Sequence, residues 1–161
     1  MIRKADVLAA LRARVEADLV AVTASQRDAQ AGATHEEAKP EHDKDTRATE
    51  ASYLARGLAE RVAQLGAAAS ALANMVVKSF ADQDPIAVSA LVTVEDADGV
   101  DKLYFIAPSG GGLKVTVGGV EVSAVTTESP MGRGLVGKHA DDELELRTPD
   151  GVRSLTIVAV R

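Results

Sequence analysis

The period of the apolar residues changes once along this 161-residue chain, and that change limits the folds open to it. Over residues 2 to about 30 there is neither Pro nor Gly, and Leu8, Val15, Val22 and Ala29 recur every seven positions with Leu11 and Leu19 beside them. Such a repeat is the seam of a long amphipathic helix. A second seam begins near residue 46 and carries Leu54, Leu58, Val62, Leu65, Ala69, Leu72 and Val76 at three- and four-residue spacings. Neither seam can stay exposed to water. The polar connection between them is short, which favours antiparallel neighbours, so the spacing predicts a helical hairpin.

Beyond Phe80 the pattern is that of strands. Pro85 disfavours helical geometry at Asp84, so the run Asp82-Gln83-Asp84-Pro85 breaks the helix and marks a domain boundary. The expected division is a helical hairpin over residues 1–80, with its tip at about 33–46, and a β-domain over 81–161. Ile86, Val88, Ala90, Val92 and Val94 alternate with smaller or more polar residues, as a half-buried strand does. Turns are expected at Asp96-Ala97-Asp98-Gly99, Gly118-Gly119 and Pro149-Asp150-Gly151, and a flexible loop at Gly110-Gly111-Gly112. The result is an α+β fold with five or six mostly antiparallel strands.

Composition narrows the function. With no Cys the chain has no disulfide and no thiolate metal site, which fits a reducing cytoplasm. No stretch has the roughly 20 apolar residues of a membrane span, and the N-terminal apolar run is broken by Arg12, Arg14, Glu16 and Asp18, unlike a signal peptide. A net charge of −6 argues against a general nucleic-acid coat. Aromatics are 2%, so the core must be built from Val, Leu, Ile and Ala.

One stretch carries more information than the rest. In Ser129-Pro130-Met131-Gly132-Arg133-Gly134-Leu135-Val136-Gly137-Lys138, Pro130 can open a helical turn and Gly137 can close it by accepting φ > 0. Asp141-Asp142-Glu143, a strand, Thr148-Pro149-Asp150-Gly151 and a last strand follow. This order resembles the C-terminal domain of the bacterial Gre transcript-cleavage factors. The resemblance implies an FKBP-like antiparallel β-domain that docks on the rim helices of the RNA polymerase secondary channel, with the antiparallel, coiled-coil hairpin entering the channel. Ser129, Pro130, Met131 and Arg133 would then lie on the polymerase-binding face.

Between the helices, Glu36, Glu37, Glu41, Asp43 and Asp45 gather around Pro40. Acids there also suit a solvated loop near a helix start, where they favour the dipole. In Gre factors an Asp and a Glu at the tip help hold a second Mg²⁺ in the polymerase active site. The usual family tip, close to Asp-Leu-Ser-Glu-Asn-Ala-Glu-Tyr, is not reproduced here. Anchoring on Tyr53-Leu54-Ala55-Arg56-Gly57 puts Glu37 at the Asp position and Pro40 at the Glu position, and one residue of slack brings Glu41 there. By resemblance, Glu37 and Glu41 are the catalytic and metal-positioning candidates, with Asp43 and Asp45 as spares. Lys39, Lys44, Arg47 and Arg56, with Arg61 further along, would contact displaced RNA or simply form a solvated face.

The implied protein is an accessory factor, not itself an enzyme, and monomeric when free. It has no cofactor of its own and shares Mg²⁺ with the polymerase. It would stimulate cleavage of the nascent RNA 3′ end in backtracked complexes, or occupy the channel as a regulator without cleavage. A prolyl isomerase or chaperone is a weaker reading, because such a pocket needs aromatics and Tyr104 and Phe105, being adjacent, lie on opposite strand faces. A purely dimerising coiled coil is a third. His35 and His42 lack the tight spacing of zinc motifs, and His139 reads as a polar turn residue.

Overall fold

The computed structural model describes residues 1–37, 46–81 and 83–161, with the backbone alone at positions 33, 35–37 and 46–48. Two long helices come first, α1 over Lys4–Glu37 and α2 over Thr46–Ala73. Helix α1 continues past residue 30 because Ala31, Ala33, Glu36 and Glu37 are strong helix formers that outweigh Gly32. Helix α2 stops at Ala73, where its last carbonyls find partners. Arg12 donates from Nε to the Leu72 carbonyl (2.9 Å) and from Nη2 to that of Ala73 (3.0 Å), and the Asn74 amide donates to Ser70 (3.0 Å). Val76 therefore lies beyond the helix and is 74% exposed, outside the expected seam. Leu54 is also exposed; the seam that packs runs through Leu58, Val62, Leu65, Ala68, Ala69 and Leu72.

By backbone contact the chain forms two compact units, one of residues 15–69 and one of residues 1–14 with 70–161. In the first, Val15, Leu65 and Ala68 are buried and Leu19, Val22, Leu58 and Val62 half-buried, as heptad spacing requires. In the second, Val7, Leu8, Leu11 and Leu72 are buried at the ends of the helices, and the rest is a six-stranded sheet with a short helix.

The strands are β1 (Leu91–Asp96), β2 (Asp101–Ile106), β3 (Lys114–Val117), β4 (Val120–Val125), β5 (Glu143–Thr148) and β6 (Gly151–Val160). Helix α3 (Pro130–Leu135) precedes β5. Their order in the sheet is β3-β4-β2-β1-β6-β5. Every pairing is antiparallel except β2 with β4, so the sheet is mixed. The hairpin turns fall where expected. Gly118 (φ 58°) and Gly119 (φ 81°) supply the two left-handed residues that a two-residue β3–β4 turn needs. Asp96 organises the β1–β2 turn by accepting from the backbone N–H groups of Asp98 and Val100 and pairing with Lys102 at 2.9 Å.

Two expectations are corrected. Residues 86–90 are not the start of a strand. Ile86 exchanges backbone hydrogen bonds with Gly137 and Lys138, and Ser89 turns left-handed (φ 81°), its N–H donating to Ile106. The fully buried Ser89 hydroxyl accepts from the Lys78 N–H at 2.9 Å. Apolar alternation thus arose from a turn packed on the core. In β1 itself Leu91, Val92, Thr93 and Val94 are all buried, because a central strand is covered on both faces. The second correction concerns Gly110-Gly111-Gly112. This is a turn held in place by Gly112 N–H to Ala124 (2.9 Å) and Leu113 N–H to Gly110 (3.2 Å), not a flexible loop.

The main core joins Val92, Val94, Ile106, Val125, Leu135, Leu144, Leu155 and Ile157. Phe80, Tyr104 and Met131 pack against its margin. No described helix is long and apolar enough to cross a membrane.

Candidate functional site

Helix α3 and its approach form the most tightly specified surface feature of the β-unit. Ser129 is the N-cap: its Oγ accepts from the Gly132 N–H (3.0 Å) and donates to the Thr126 carbonyl (2.8 Å). Pro130 occupies the first helical turn, where its missing N–H costs nothing. Gly132 is seated directly on the chain that leads in. A Cβ at this position would stand 1.8 Å from the Thr126 oxygen, so no other residue fits without displacing backbone. The helix ends as Gly137 takes φ 84° and donates to Ile86 (2.8 Å).

Of the four residues expected on the docking face, three lie on one short helix and Ser129 caps it, but they are oriented differently. Ser129 is engaged in the cap, and Met131 is half-buried against the core. Pro130 and Arg133 are exposed; Arg133 donates to the Glu128 carbonyl at 2.6 Å, which holds its guanidinium beside the cap. Val136, 39% exposed, extends the same face. Sequence reading missed Gly132 and Thr126 as the pair that seats the helix. The available signal was a glycine inside a helical turn with no turn of its own to make.

The acidic connection is the other candidate. Glu37 closes α1, with only its backbone described, and Arg47 lies in the first turn of α2 on the same terms. Glu41, Asp43, Asp45, Lys39, Lys44 and His42 fall outside the described residues. Arg56 is exposed on α2, in a surface depression lined by Thr49, Ser52 and Tyr53. Among the described residues no cluster of three or more His, Asp or Glu side chains is placed to hold a metal. His139 is exposed in a turn, 3.7 Å from the Asp142 carboxylate.

Residues 81–161 match the family model described as transcription elongation factor, GreA/GreB, C-term, and so take in the sheet together with α3. The chain belongs to the GreA/GreB family. Transcription elongation factor GreA of Clostridium kluyveri is 30% identical over 93 residues, which is 55% of this chain and 53% of that protein. GreA of Clostridium acetobutylicum is 30% identical over 93 residues, with the same shares covered. This chain thus spans about half the length of the GreA relatives it matches. Among solved structures, Gfh1 of Thermus thermophilus aligns over 93% of this chain and 94% of its own, at 20% identity and a TM-score of 0.39. The seating of α3 on Thr126 lies within the stretch that resembles the Gre factors.

Proposed function

We propose that the chain is a Gre-like elongation factor that binds RNA polymerase through the α3 face and presents its acidic tip to the polymerase active centre, stimulating cleavage of backtracked RNA. The observation that carries this reading is the family match over residues 81–161. The exposed Pro130, Arg133 and Val136 are the docking contacts this geometry offers, with Ser129 and Met131 fixing them from beneath.

The tip is rich in carboxylates, and these suit Mg²⁺, which takes hard oxygen ligands and keeps several waters. Glu37 and Glu41 would add ligands to an ion held jointly with the polymerase, with Asp43 and Asp45 in reserve. Such an ion supplies charge stabilisation to the attacking and leaving oxygens of the phosphodiester. Lys39, Lys44, Arg47 and Arg56 would neutralise phosphates of the displaced 3′ segment.

A second reading is favoured by one feature of the tip: Pro40 stands where the family places its Glu. On that reading the factor occupies the channel and slows synthesis without cleavage. A backtracked elongation complex with Mg²⁺ separates them. Shortening of the RNA 3′ end on adding the protein, abolished in Glu37→Ala/Glu41→Ala, supports cleavage; intact RNA with slowed extension supports the regulator. Failure to co-purify with core polymerase defeats both.

A further inference from the structure

We propose that the exposed face of α2 formed by Thr49, Ser52, Tyr53 and Arg56 is a stacking site for one base of single-stranded RNA, with Tyr53 as the platform and Arg56 on the adjoining phosphate. The choice of RNA rests on the function proposed above; the stacking role of Tyr53 goes beyond it.

Positions 49, 52, 53 and 56 are separated by three and four residues, so they share one face of the helix. All four are exposed, and together they line a single surface depression. Tyr53 is unlike the other aromatics. Phe80 and Tyr104 pack against the core and Phe105 is fully buried, whereas Tyr53 is 69% exposed. Packing does not require a ring there, since α2 buries its opposite face through Leu58, Val62 and Leu65.

Arg56 has no ion pair or hydrogen bond among the described residues, so its guanidinium is available to a ligand. Thr49 and Ser52 add hydroxyls within reach of a sugar or phosphate oxygen. An exposed aromatic beside a cation is the combination by which single strands are held without sequence readout. Glu50 and Glu60 flank the face, so that with Arg56 its local charge is −1. That matches a site for one stacked base rather than for a run of phosphates, and it agrees with the net charge of −6.

The test is fluorescence anisotropy of a 5′-fluorescein-labelled decaadenylate RNA with the full chain, carried to millimolar protein. Tyr53→Phe keeps the ring and should bind within about twofold of the parent. Tyr53→Leu keeps bulk without the π-face and should bind about tenfold more weakly, which corresponds to about 1.4 kcal/mol. The logarithmic salt slope should be shallow, near −0.7 for one neutralised phosphate, and should fall toward zero in Arg56→Gln.

Equal affinity of Tyr53→Leu and parent, or no binding at all, overturns the proposal. So does a Tyr53→Leu variant that loses affinity for RNA-free core polymerase while its RNA binding is unchanged, which would make the face a protein contact. Tyr53-dependent RNA binding in a chain that does not bind polymerase supports this site and removes the elongation-factor reading.

Discussion

Replacing Gly132 with Ala tests the seating of α3 at its narrowest point. The added methyl carbon would lie 1.8 Å from the Thr126 oxygen, 2.8 Å from its carbonyl carbon and 3.1 Å from Ser129 Oγ. The first two atoms are backbone, so relief requires moving α3 or the chain before it. Moving α3 breaks the cap, because the Gly132 N–H and the Thr126 carbonyl share the Ser129 hydroxyl.

Overpacking of this kind costs about 1–3 kcal/mol and loss of an N-cap about 0.5–2 kcal/mol, so a total near 3 kcal/mol is expected. For a chain of this size that lowers Tm by roughly 6–12 °C. Thermal unfolding followed by circular dichroism measures it. Gly134→Ala is the control: its Cβ would meet only the terminal Cδ1 of Leu144, at 3.2 Å, and that methyl can swing aside. The control should lose no more than about 1 kcal/mol, since Ala is the better helix former. Under the proposed function, Gly132→Ala should also weaken retention on core polymerase, and Gly134→Ala should not. A Gly132→Ala protein that melts within about 2 °C of the parent would refute the seating described here.

Two further outcomes follow from single contacts. Arg12→Ala should destabilise the chain by roughly 1–2 kcal/mol, because the guanidinium is the partner of two carbonyls at the negative end of α2; Arg12→Met, which keeps the apolar stem, should show the same loss in thermal unfolding. The Asp96 carboxyl is held below its ordinary value of 3.8 by the hydrogen bond from Lys102, then by the Val100 and Asp98 N–H groups. A lowered carboxylate stabilises the fold above that ordinary value and loses its contribution as pH falls through the lower folded one. The Tm gap between parent and Asp96→Asn should be constant near neutrality and close below about pH 4; a gap that is flat down to pH 2 would contradict this assignment.

Much of the fold was legible in sequence because its causes are local. The seam Leu8, Leu11, Val15 and Leu65 follows from helical period, the β3–β4 turn from two adjacent glycines, and α3 from Ser129-Pro130 at one end and Gly137 at the other. The docking candidates came instead from the family resemblance; three of them lie on α3 and Ser129 caps it. Which of them face solvent was not readable, since that depends on how α3 sits on the sheet.

Where sequence reading failed, a distant partner had decided the outcome. Ile86 to Ala90 alternates like a strand, but Ser89 is held by Lys78 on one side and Ile106 on the other, and this turns the chain. Helix α2 stops at Ala73 with Arg12, sixty-one positions earlier, satisfying its carbonyls. The parallel β2–β4 pairing and the contact of Gly132 with Thr126 likewise come from chain packing on chain. Period, turn chemistry and capping are properties of neighbouring residues, so the sequence by itself determined the elements and their order. Strand pairing, helix ends and the presentation of side chains satisfy hydrogen bonds and fill space between remote residues, and only the tertiary structure decided those.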